Sequence, residues 1–92
     1  MLEEELRRGE LARQLLNNEL YSESFDSVRQ AIVDKWLTSS VTDREGHHEL
    51  KLMLKALDNV QHHIKTALDT GKLAEIQLDS ERRMDKIKAA GL

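Results

Sequence analysis

The feature that most constrains this chain is an apolar seam on one long helix. Leu50, Leu54, Leu57, Gln61, Ile64 and Leu68 recur at steps of four and three, the spacing that keeps one helix face against a neighbour. Ahead of the seam, Thr42-Asp43-Arg44-Glu45 has the form of a capping box. In it the Thr hydroxyl accepts from the third helical N–H and the Glu reaches back to the Thr N–H. Beyond the seam, Gly71 stands where a left-handed residue would end the helix. The pattern therefore predicts a helix from Asp43 to Thr70. A seam that long needs covering, so the chain reads as an assembly part rather than a reaction vessel.

Two shorter helices are expected before it. The first runs from about Leu2 to Leu16, with a loose stripe of Leu2, Leu6, Leu11, Ala12, Leu15 and Leu16. Glu3, Glu4 and Glu5 suit the positive end of its dipole, and Gly9 inside it costs about 1 kcal/mol against Ala. Asn18 is a good N-cap for a second helix from Glu19 to Ser39. There Tyr21, Phe25, Val28, Ile32 and Trp36 form one face, predicted to carry much of the core, with Tyr21, Phe25 and Trp36 as its anchors. The short polar turn Ser39-Ser40-Val41-Thr42 favours an antiparallel hairpin. After Gly71 the pattern weakens. Residues 79–92 are expected as a charged helix or tail, separate from a bundle over 1–78.

Composition agrees with an all-α fold: no Pro, and 34% charged residues of both signs in 92 positions. The expectation is a long antiparallel helical hairpin, plus a short N-terminal helix and a weakly ordered C-terminal helix or tail. The absence of Cys removes disulfides and thiolate chemistry. No apolar run approaches the roughly 20 residues needed to span a bilayer, so no membrane partner is expected. Met1-Leu2 leads directly into Glu3-Glu4-Glu5, unlike a basic leader sequence. A net charge of −3 argues against a general positive field for nucleic acid. Arg82, Arg83, Lys86 and Lys88 are the candidate phosphate contacts.

Catalytic and metal chemistry find little purchase. The four His form adjacent pairs, His47-His48 and His62-His63, and helix neighbours point about 100° apart. His48-Glu49 begins a zinc-protease motif, but Leu52 stands where the second His belongs. Asp58 and His62, one turn apart, make one weak bidentate pair. There is no Gly-rich phosphate loop and no nucleophile elbow. Neither enzyme activity nor a cofactor is expected. Two readings of the seam stay open: an internal core lying on the second helix, or a contact shared between subunits. A buried polar Gln61 can set register and oligomer state in either.

Arg8-Gly9-Glu10-Leu11-Ala12, Leu15-Leu16-Asn17-Asn18-Glu19-Leu20-Tyr21, Ala31-Ile32-Val33-Asp34-Lys35-Trp36, Thr42-Asp43-Arg44-Glu45-Gly46 and Thr70-Gly71-Lys72-Leu73-Ala74 together cover about two thirds of the chain. They resemble small helical proteins encoded in tailed-phage and prophage genomes, among the head and DNA-packaging genes. The resemblance implies a non-catalytic role in a phage or prophage setting and transfers no site residue. The expected function is protein–protein contact in head assembly or DNA packaging. The expected partners are further copies of the chain, as a homo-oligomer, and other phage structural or packaging proteins. The expected location is the cytoplasm of a bacterial host, or the virion. The alternative is a small-terminase-like oligomeric component that binds DNA through its basic C-terminal residues.

Overall fold

A computed structural model of the chain describes residues 1–91. Among them every regular element is an α-helix: α1 (Leu2–Leu16), α2 (Glu19–Thr38) and α3 (Arg44–Ala89). The chain divides into two compact units. One is Leu15–His63, which holds α2 and the first part of α3. The other joins Met1–Gln14 to Ile64–Leu92, pairing most of α1 with the rest of α3.

Within Leu15–His63 the fold is the antiparallel hairpin. Asn18 caps α2, its side-chain oxygen accepting from the Tyr21 N–H at 2.9 Å. The α2 face turned to α3 is not quite the one the aromatic spacing suggested. Ile32 is buried, and Tyr21, Phe25, Arg29 and Val33 are half-buried. Val28 stays exposed, and so does Trp36, at 51%. Trp36 is thus not a core anchor. It lies near the end of α2, where the hairpin has too few neighbours to enclose an indole, and its ring meets His47 edge-on at 6.1 Å. Tyr21 and Phe25 meet in a tilted arrangement, 4.6 Å between ring centroids and 45° between ring planes. On α3 Leu50 is buried, while Leu54, Leu57 and Gln61 are half-buried.

The start of α3 also differs from the capping box. Asp43, not Thr42, is the cap: its carboxylate accepts from the Gly46 N–H at 2.9 Å, and its carbonyl accepts from His47 N–H. The Thr42 hydroxyl is taken up with Ser40 Oγ instead, at 2.9 Å. Both residues are good N-caps, and a carboxylate at the helix N-terminus also gains from the dipole.

In the second unit α1 crosses α3 through two glycines. A methyl group built on Gly9 would come within 2.7 Å of the Gly71 Cα, and one on Gly71 equally close to the Gly9 Cα. The covered face of α1 is Leu2, Glu5, Leu6, Gly9 and Ala12. Leu11, expected in that stripe, stays half exposed. The α3 seam continues past Ile64 and Leu68 into buried Gly71 and Ala74 and half-buried Leu78.

Gly71 therefore does not end the helix. It lies inside α3, where the absence of a side chain lets two backbones meet. The terminating role falls to Gly91, which has φ +76 and donates its N–H to Lys88 O, as a left-handed cap does. The charged residues from Asp79 onward are helical through Ala89. Leu92, the last residue of that segment, lies outside the described residues.

Candidate interaction surfaces

The hairpin unit has one edge closed by polar contacts. Arg29 Nη2 on α2 donates to Gln61 Oε1 at 2.8 Å and pairs with Asp58 Oδ1 at 2.7 Å, both on α3. The one polar residue of the seam is thus satisfied within the chain, by an arginine that sequence periodicity left unassigned. Its signal was available: Arg29 stands one turn from Phe25 and from Ile32, at seam spacing. At the turn, Ser39 Oγ lies 2.8 Å from His47 Nε2 and donates to the Trp36 carbonyl. This couples the end of α2 to the first turn of α3. The Tyr21 hydroxyl is buried with no hydrogen-bond partner, and burial pushes its phenol above the ordinary tyrosine range.

The expected seam is shared between the units. Leu50, Leu54, Leu57 and Gln61 belong to the hairpin; Ile64 and Leu68 belong to the α1-containing unit. Only Leu50 among them is buried, because a single helix laid on each stretch covers one side of it. Met53 and Val60, beside the seam, each keep about half of their surface.

In the α1-containing unit a shallow cleft runs along the glycine crossing, lined by Leu6, Arg13, Leu68 and Lys72 among others. Exposed i,i+3 pairs, Glu4 with Arg7 and Glu10 with Arg13, run along α1. In each the arginine's hydrogen bond holds the glutamate below its ordinary pKa. On α3, Leu73, Ile76, Met84 and Ile87 are exposed by 68%, 65%, 54% and 44%. At about 100° per residue they fall on one face, opposite the Gly71, Ala74 and Leu78 side. Periodicity held this second stripe as well, but its interleaved charges made the segment read as solvated.

The basic candidates do not form one stripe. Since the segment is helical, Arg82, Arg83 and Lys86 share one side of α3, and Lys88 falls on the opposite side. All four are exposed. Among the described residues no three His, Asp or Glu side chains are grouped as metal ligands. No helix of the described residues is long and apolar enough to cross a membrane. Comparison with family models, curated proteins and solved structures finds no match for this chain.

Proposed function

We propose that this chain is a non-catalytic helical assembly protein that works by contact with further copies of itself, in phage head assembly or DNA packaging. One observation carries the contact reading: the chain leaves much of its apolar surface without a partner. Among the described residues the buried apolar side chains are Ala12, Ile32, Leu50 and Ala74, whereas Leu20, Leu37, Leu52, Leu73 and Ile76 each stay more than half exposed. The exposed stripe that includes Leu73 and Ile76 supports the reading, since contiguous exposed apolar surface is one mark of a protein–protein contact. The phage setting rests on the sequence resemblance.

The test is mass in solution across a concentration series, by light scattering after size exclusion. A stable multiple of 10.6 kDa is expected. A monomer at every concentration would overturn self-assembly.

Arg82, Arg83 and Lys86 on one exposed side of α3 favour a second reading, a small-terminase-like DNA-binding component. It requires a salt-dependent shift of duplex DNA that disappears in an Arg82→Ala, Arg83→Ala variant. Absence of binding at about 50 mM salt would dismiss it.

A further inference from the structure

The exposed stripe on the last part of α3 is symmetric about its own centre. Leu73 and Ile87 lie seven residues either side of Ser80, and Ile76 and Met84 lie four either side. A two-fold interface must be self-complementary, the same patch serving both subunits. A helix whose apolar residues read alike in both directions meets that requirement when two copies run antiparallel.

We propose that this face pairs with the same face of a second copy, antiparallel, with the two-fold axis at Ser80. Leu73 then packs on Ile87 of the partner subunit, and Ile76 on Met84 of the partner subunit. The inference rests on the assembly reading above and names its partner and its surface.

Charge supports this occupant. Asp79 and Arg83 flank the stripe on the same side. An antiparallel two-fold sets that flank beside its own copy. Arg83 then sits within about 3 Å, along the helix axis, of Asp79 of the partner subunit, and the pair occurs twice. The other flank carries Gln77, Glu81 and Lys88; Glu81 there stands beside its own copy, one like-charge contact against the two Asp79–Arg83 pairs. The small Ser80 at the centre allows the two helices close approach.

The face opposite the stripe is already used, since Gly71 and Ala74 are buried there. The pairing therefore adds a layer without displacing α1.

Because the chain has no Cys, single cysteines report the geometry directly. Ser80→Cys is expected to form a disulfide-linked dimer under mild oxidation, its two sulfurs meeting at the axis. Leu73→Cys is expected not to link to itself, since its two copies stand about 21 Å apart along the axis. Linking of both variants would mean parallel pairing and overturn the proposal. Linking of neither, in a protein whose mass is still a multiple of the chain, would overturn this surface while leaving assembly standing. A monomer would overturn both. Ile76→Glu gives a second readout: the dimer should be lost, with helical content by circular dichroism unchanged.

Discussion

The two units of this molecule hold their helices together by opposite means. In Leu15–His63, large side chains fill the space: Tyr21, Phe25 and Ile32 from α2, and Leu50, Leu54 and Leu57 from α3, with Arg29 bridging to Asp58 and Gln61. In the α1-containing unit, the crossing is made by the residues with least side chain, Gly9 and Gly71, beside Ala12 and Ala74. Two interior glycines cost about 2 kcal/mol in helix propensity against alanine, and the close backbone approach must offset this through dispersion contacts. One unit is thus sensitive to removing atoms and the other to adding them.

Substitutions that reverse this sensitivity test the comparison most severely. Gly71→Leu should have the largest effect, a loss above about 3 kcal/mol, because the new side chain meets backbone rather than a movable side chain. Gly9→Ala should also lower the melting temperature, although propensity alone would raise it. A higher melting temperature would show that the crossing is looser than described. Hydrogen exchange on Gly71→Leu should quicken first at the α1 amides, with α2 retaining more of its protection.

Removing atoms from the hairpin comes next. Leu50→Ala should cost about 2–4 kcal/mol by cavity formation, read from denaturant unfolding. Ala74→Gly, the comparable loss in the other unit, should cost only about 1 kcal/mol, largely from propensity. Equal costs would erase the distinction. Arg29→Ala should cost about 1 kcal/mol, for a partly exposed pair that also packs its stem.

The smallest expected change has the opposite sign. Tyr21→Phe removes a buried hydroxyl that lacks a partner and should stabilise the hairpin by up to about 1 kcal/mol. It also isolates a pH effect. The folded-state pKa of Tyr21 is raised, so the stability its neutral form contributes is complete below the ordinary tyrosine value. That stability is lost as pH climbs through the raised one. The difference in melting temperature between wild type and Tyr21→Phe should therefore widen above about pH 10.

Much of the fold was legible locally. Asn18 marks the start of α2 because its side chain serves an N–H only three residues away. The α1 boundaries and the all-helical class follow from pattern and composition in the same way. The Leu50-to-Leu68 seam is legible because a helix repeats its covered face at fixed spacing. For the candidate surfaces, Arg82, Arg83, Lys86 and Lys88 were visible as residue types, but their division between two sides of α3 required knowing that the segment is helical.

The sequence by itself determined that this chain is helical, where α1 lies and where α2 starts, and which face of α3 is apolar from Leu50 to Leu68. Those are properties of residues within a turn or two of each other. Only the tertiary structure decided that Asp43 and not Thr42 caps α3, that Trp36 has too few neighbours to be buried, and that Arg29 answers Gln61. It also decided what each glycine does. Gly71 looks like a helix end in sequence but faces Gly9, some sixty residues earlier in the chain, whereas Gly91, which faces nothing within 4 Å, takes the left-handed cap. A glycine is kept inside a helix by what lies across from it, and no local window contains that information.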